Sequence, residues 1–398
     1  MKQSTHRPRY ARRRAAPRHA LRRAAAPRGA RIYLLPAAVL VVLTGLATLL
    51  AFQLTAGSEP PAVLRNAEAR QALAPGPSPF SLAELHKRLP PYALEQVGQY
   101  IDYFQKTRRR GLEGAIARST RYLDEFTEVF RGAEMPLELA YLPLIESGYV
   151  ENAVSPAKAA GVWQFTRETG RRFKLDSNDW FDNRLDPMRS TRAAALYLKQ
   201  LHRKFNDWEL ALAAYNSGAG TVRWAMRVNR KAGRPTHFWA LDELPDETRN
   251  YVPAFLAAAL IVRNLDAFGF NKIRFHPRRV FERIKVTAGF SLAVLAQHLE
   301  INEQSLFELN PELIRQEIPP GDFFYLLRIP PGTRKLVNNM LVGFASVPRD
   351  WMLHQVAAAD TVQELASRFQ AEPDRIMQVN QLQDNLELAS RKFVIIPL

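Results

Sequence analysis

Apolar residues recur at helical spacing through the middle of this chain. Leu137, Ala140, Tyr141, Leu144 and Ile145 form one stripe, and Trp208, Ala211, Leu212 and Tyr215 form another at i, i+3, i+4 and i+7. Gly218 follows the second stripe as a stop signal. This periodicity dominates residues 92–272, a stretch long enough for one mostly α-helical domain with its own core. Residues 55–91 read differently. Pro60, Pro61, Pro75, Pro77, Pro79, Pro90 and Pro91 predict a semi-extended spacer.

Beyond Arg279 the pattern changes and repeats. Ile284–Pro311 aligns without gaps on His354–Gln381, with Val286 on Val356, Leu295-Ala296 on Leu365-Ala366 and Asn310 on Asn380. Each copy ends in a β-type run, Leu326–Pro330 and Phe393–Pro397. Self-similarity at a fixed offset indicates duplication. The expectation is two small α+β modules of order strand, helix, helix, strand (βααβ), at 280–332 and 351–398. A linker is expected at 333–350.

Upstream of the spacer, residues 32–54 are uncharged and rich in Leu, Val and Ala. As a helix they would be about 34 Å long, enough for a hydrocarbon core of about 30 Å. Only at this point does the net charge of +16 acquire a meaning. Eleven Lys or Arg and no acid lie in residues 1–31, which leaves 44 basic against 39 acidic residues elsewhere. A like-charged arm before an apolar helix predicts a cytoplasmic N-terminus, a transmembrane helix at 32–54 and an exported remainder. A cleaved signal peptide is the alternative, with Thr55-Ala56-Gly57 as a weak site, but the apolar run exceeds the usual h-region. Nucleic acid is not an expected partner, because the helix would tether the arm to a membrane.

Several chemistries lack support. The chain has no cysteine, its eight histidines are scattered singly, and GxxxxGK[ST] and GxSxG are missing. No metal and no cofactor are expected. What remains is Glu146, at the end of an apolar helix and beside its buried stripe. Partial desolvation there raises a carboxyl pKa, as a general acid for glycosidic cleavage requires, although a solvated helix-end glutamate fits the same pattern. Ser155, Gly161–Phe165 and Ala213–Gly220 supply hydroxyl, amide and aromatic groups of the kind that bind sugars. Trp163 and Tyr215 read equally as core aromatics.

Four motifs occur in order: Pro136-x-Glu-Leu-x-x-Leu-Pro-x-Ile-Glu-Ser147, Gly161-Val-Trp-Gln164, Ala214-Tyr-Asn-Ser-Gly218 and Leu244-Pro-x-Glu-Thr-Arg-x-Tyr-Val-Pro253. Across residues 92–265 the chain resembles the family 1 (Slt-type) lytic transglycosylases. That resemblance implies a lysozyme-like fold and cleavage of peptidoglycan between N-acetylmuramic acid and N-acetylglucosamine. It implies Glu146 as acid and then base, with a 1,6-anhydro product. Ser155, Gln164, Tyr215 and Asn216 match substrate-binding positions, with Tyr215 placed to bond Glu146 or the sugar, and Glu247 and Tyr251 match cleft-lining positions. Glu138 is assigned to the local fold. Lys158 and Thr166 stand where relatives often have glycine and an aliphatic residue. The two repeats resemble LysM modules, which bind N-acetylglucosamine-containing chains. The second, with Asp360-Thr361, is recognisable, while the first has Gly289-Phe290-Ser291 there and is degenerate. The expected partners are peptidoglycan glycan strands and the inner membrane, with the catalytic and LysM parts in the periplasm. Two other readings stay open, a muramidase cutting the same bond with water and a non-catalytic wall-binding scaffold.

Overall fold

The computed structural model describes residues 73, 78–286, 289–318, 324–344, 351–380, 382–391 and 393–397. The basic arm at 1–31 and the transmembrane helix expected at 32–54 lie outside the described residues. No helix among the described residues is long and apolar enough to cross a membrane.

The first part is helical. Helices α1 (Leu82–Arg88), α2 (Pro91–Lys106), α3 (Arg109–Ser119) and α4 (Leu123–Gly132) lead into a 3-10 turn (Leu137–Tyr141) and the single-turn α5 (Pro143–Glu146). Then come α6 (Arg167–Arg172), α7 (Pro187–Phe205), α8 (Trp208–Ser217), α9 (Ala219–Lys231) and α10 (Asp246–Arg263). From Tyr251 to Val262 every residue of α10 except Ala254 is buried, so this helix is the centre of the domain. The α8 stripe folds as its spacing predicts. Asp207 caps it at the N-terminus, and Gly218, at φ +84°, ends it and starts α9.

The described parts of two expected spacers are folded instead. Within the stretch expected as a linker at 55–91, Leu73 and Phe80 are buried. The Tyr141 hydroxyl donates to the Leu73 carbonyl at 2.8 Å, and Phe80 packs edge-on against Phe255 at 5.4 Å. Arg88 of α1 pairs with buried Glu209. Pro79 and Pro90 punctuate the described part of this segment without preventing Phe80 and Leu85 from being buried. The linker expected at 333–350 contains α13 (Arg334–Phe344). Val337 and Met340 of that helix are buried with the core of the first repeat.

Each repeat builds an antiparallel strand pair around two helices. In the first, β1 (Glu282–Val286) pairs with β4 (Tyr325–Ile329), with α11 (Leu292–His298) and α12 (Glu303–Leu309) between them in sequence. In the second, β5 (Trp351–Gln355) pairs with β6 (Phe393–Pro397), enclosing α14 (Val362–Phe369), α15 (Pro373–Asn380) and an added α16 (Asn385–Ser390). The asparagines aligned in the sequence do the same work. Asn310 bridges the Leu306 and Arg328 carbonyls and accepts from the Arg328 amide. Asn380 bridges the Ile376 and Ile395 carbonyls and accepts from the Ile395 amide. Ser291 and Thr361, also at equivalent positions, cap α11 and α14.

The repeats differ at Gly289-Phe290-Ser291 of the first. Asp360 accepts from His354 and from the Ala357 amide, closing the loop before α14. Phe290 replaces it in the first repeat and is fully buried. The segment around it is β2 (Gly289–Ser291), which pairs with β3 (Glu317–Ile318) on one side and, in parallel, with β5 on the other. The two repeats therefore share a four-stranded sheet.

Buried charge ties the first repeat to the helical domain. Asp186 caps α7, accepting from the Met188 and Arg189 amides at 2.8 Å. Its other oxygen pairs with Arg328 of β4. Arg328 also grips Glu312 at 2.8 and 3.0 Å, and the Tyr325 hydroxyl donates to Glu312.

Candidate active site

Glu146 ends a segment that the sequence reads as one helix and that the chain folds as two. Pro143 has no amide hydrogen to continue a ladder, so a 3-10 turn closes at Tyr141 and α5 starts afresh on Pro143. The backbone then reverses through Gly148 and Tyr149, both at φ +59°. Ser147 donates to the Val162 carbonyl at 2.9 Å, fixing this turn to the loop that follows. Glu138, in the same segment, is buried and pairs with Arg263 of α10, a structural role.

The loop from Ala153 to Phe165 forms the next wall. The Ser155 hydroxyl accepts from the Ala159 amide at 3.1 Å and closes a turn in which Lys158 has φ +59°. A lysine there bears the left-handed penalty that glycine avoids. Lys158→Gly is expected to raise stability by about 0.5–1 kcal/mol in urea unfolding, with the loop unchanged. At Gly161 the requirement is absolute, because φ is +80° and a Cβ would lie 2.0 Å from the Arg184 carbonyl oxygen. Arg184, buried and paired with Asp182, also donates to the Lys158 and Phe165 carbonyls at 2.9 Å. It braces the loop from behind, and no spacing in the sequence announces it. Gln164 spends its amide group on the Ala153 and Gly161 carbonyls, at 3.2 and 2.8 Å. Trp163 is a core residue, fully buried, its indole donating to Thr191.

Helices α8 and α10 supply the opposite wall. Asn216 donates to Glu247 at 3.2 Å and accepts from Thr248 at 2.7 Å. The Tyr251 hydroxyl donates to Glu146. The Tyr215 hydroxyl donates instead to the Trp163 carbonyl at 2.8 Å. Of the two roles expected of Tyr215, the bond to Glu146 is made by Tyr251 instead. The reason is that the last turn of α8 points Tyr215 at the 161–164 loop, while α10 passes behind Glu146.

Glu146, Ser155, Gln164, Tyr215, Asn216, Glu247 and Tyr251 all line one lobe of about 640 Å³, here called lobe A. Glu146, Ser155 and Gln164 also line lobe B, of about 610 Å³, on the other side of Glu146. A smaller lobe C, about 290 Å³, adjoins A through Asn250 and Tyr100. Glu146 therefore stands partway along a groove open on both sides. Burial pushes its carboxyl up to about 7; the Tyr251 hydrogen bond opposes this rise and the nearby Glu247 charge adds to it. Burial, and then the Glu146 charge, raise the Tyr215 and Tyr251 hydroxyls well above the usual tyrosine range, so both stay protonated donors.

Two family models match parts of the chain. A transglycosylase SLT domain model matches residues 130–238, and a LysM domain model matches residues 354–397. The chain carries an SLT domain and a LysM domain. The SLT match contains Glu146, Ser155, Gln164, Tyr215 and Asn216, while Glu247 and Tyr251 lie beyond it on α10. The LysM match falls on the second βααβ unit. The chain is 30% identical over 283 residues to the membrane-bound lytic murein transglycosylase D of Escherichia coli (strain K12), covering 68% of this chain and 62% of that protein. It is 34% identical over 110 residues to the membrane-bound lytic murein transglycosylase F of Pseudoalteromonas translucida (strain TAC 125), covering 26% of this chain and 22% of that one. Alignment with the crystal structure of the 70 kDa soluble lytic transglycosylase of Escherichia coli gives a TM-score of 0.32 at 23% identity, over 47% of this chain and 33% of that one.

Proposed function

We propose that this chain is a peptidoglycan lytic transglycosylase in which Glu146 is the only acid–base group. A glycan strand lies along the groove with the bond between N-acetylmuramic acid and N-acetylglucosamine at Glu146. The protonated carboxyl gives its proton to the glycosidic oxygen, which leaves C1 as a hydroxyl of the N-acetylglucosamine. The carboxylate then takes the proton of the C6 hydroxyl of the same muramic residue, whose oxygen closes on C1. The product is a 1,6-anhydro end, and no water is consumed. Ser155, Gln164, Tyr215, Asn216, Glu247 and Tyr251 bind the sugars or hold the groups that do. The observation that carries this reading is the Glu146 carboxyl, raised to about 7 by burial midway along an open groove. An internal nucleophile needs no second carboxylate, because attack within one sugar replaces an activated water.

The proposed division of labour follows the fold. Residues 32–54 anchor the chain in the inner membrane, with the arm at 1–31 in the cytoplasm and the remainder in the periplasm. The second βααβ unit binds glycan; the first, whose loop is committed to the shared sheet, serves as a strut. Because the repeats are docked through buried charge, they would present the strand at a fixed position instead of acting as a loose tether.

The muramidase reading keeps one observation in its favour, since Glu247 is a second carboxylate in lobe A and would activate the water. Digestion of purified murein separates the readings. Fragments with 1,6-anhydro ends are expected. Reducing ends alone mean a muramidase, and binding without release of fragments means a scaffold.

The pH profile gives a further expected result. Glu146 must begin protonated, so kcat/KM is high below about 7 and falls as pH rises through that value. Tyr251→Phe removes the bond that stabilises the carboxylate and moves the alkaline limb to higher pH. Glu247→Gln removes a like charge and moves it to lower pH while activity persists. Loss of all activity in Glu247→Gln would instead support the water-activating role.

A further inference from the structure

Helix α2 lies outside the matched SLT residues, yet it forms part of the groove. Its inward stripe is Ala93, Val97, Tyr100 and Phe104, at i, i+4, i+7 and i+11. Ala93 and Val97 are sealed at 0% and 2% exposure, whereas Tyr100 and Phe104 on the same face are only partly covered. Beyond Val97 the stripe is shared, with Tyr100 and Phe104 packed against the core on one side and lining the groove on the other. Tyr100 lines all three lobes, alone among the groove residues. Tyr103, 41% exposed, and Phe104 line lobe B, which they share with Glu146 and Ser155.

The three rings form one wall. Tyr100 and Tyr103 meet edge-on at 6.1 Å, Tyr100 and Phe104 lie 6.4 Å apart, and Tyr103 and Phe104 5.8 Å. A single exposed aromatic is ordinary, but a contiguous aromatic wall inside a groove is where a ligand loses its apolar surface. Pyranose rings present flat faces of C–H groups between their hydroxyls, and aromatic faces complement them. Lobe B runs from these rings to Glu146, so a strand that passes Glu146 through lobe B also runs over them.

We propose that the α2 wall of Tyr100, Tyr103 and Phe104 is a sugar-stacking platform that carries the glycan strand past Glu146 through lobe B, with Tyr100 as the pivot between the lobes. This rests on the glycan-cleaving function proposed above. The test uses the full chain and soluble glycan strands freed of cross-links from purified murein. Tyr103→Leu and Tyr100→Leu keep apolar bulk but remove the ring; KM is expected to rise about 3- to 10-fold for each, with kcat little changed. Tyr100→Phe restores the ring and is expected to recover most of the Tyr100→Leu loss. An unchanged KM in Tyr103→Leu, or a Tyr100→Phe variant as impaired as Tyr100→Leu, overturns the platform. Tyr103 is exposed enough that its substitution leaves folding intact, so that variant decides even if Tyr100→Leu does not fold. A wild-type chain that cleaves no glycan at all overturns the functional reading before any variant is compared.

Discussion

Glu146→Gln is expected to lower murein cleavage by about 10²–10⁴-fold, the usual contribution of a positioned acid–base group, while the full chain still sediments with murein. Glutamine keeps the shape of the side chain and a polar partner for Tyr251, so the groove stays intact. The same variant is expected to be more stable than the wild type at neutral pH. A carboxyl at about 7 in the fold and about 4.5 when unfolded binds more protons folded than unfolded between those values. Stability therefore falls as pH rises from 4.5 through 7, and above 7 the ionised, half-buried group is a liability. Removing it should return about 1–3 kcal/mol at pH 8 and little at pH 4, as read from urea unfolding at the two pH values. Such a gain, together with lost cleavage, is the signature of a carboxyl retained for chemistry at the expense of stability. Full cleavage by Glu146→Gln would move the chemistry to another residue.

Arg328→Met is expected to destabilise the chain by about 3–5 kcal/mol in urea unfolding. Arg328 is the shared partner of Asp186 and Glu312, which are 1% and 3% exposed. Its loss takes the buried cation from both, leaving Asp186 its cap amides and a longer pair with Arg189 and leaving Glu312 the Tyr325 hydroxyl. The second repeat shows that the βααβ unit itself does not need the pair. Ile395 holds the place of Arg328 beside the asparagine clamp, and Leu382 stands at the repeat offset from Glu312. The charges therefore serve the junction with α7, whose cap Asp186 provides. A cost no larger than that of a surface substitution would mean the repeats are only loosely seated.

Much of the lining of the candidate site was legible because its parts are local. Glu146 with Ser147, the 161–164 loop and Asn216 with Gly218 each sit in one short segment whose spacing carries its own structure. The βααβ order was legible from apolar matches at one offset, and Asn310 and Asn380 proved to be its clamps. The missed features are pairings across long separations. Glu146 and Tyr251 are 105 residues apart, and Asp186 and Arg328 are 142 apart. Periodicity says which face of a helix is buried, not which tyrosine the fold brings to a carboxyl, so Tyr215 and Tyr251 could not be ranked. Proline punctuation misled at both expected linkers. The stripe Val337, Met340, Leu341 and Phe344 was present in the sequence, but Pro331 and Pro348 bracketed it and suggested extended chain. Tyr100 read as one more apolar position of α2, because nothing in a stripe marks where a core stops and a cleft begins.

The most direct measurement is the titration of Glu146 itself, followed by the carbon-13 signal of its carboxyl and assigned by its loss in Glu146→Gln. A midpoint near 7 is expected, moving upward in Tyr251→Phe. A midpoint near 4.5, the value of an ordinary glutamate, would mean that burial in this groove does not hold a proton on Glu146 and would contradict its role as the acid.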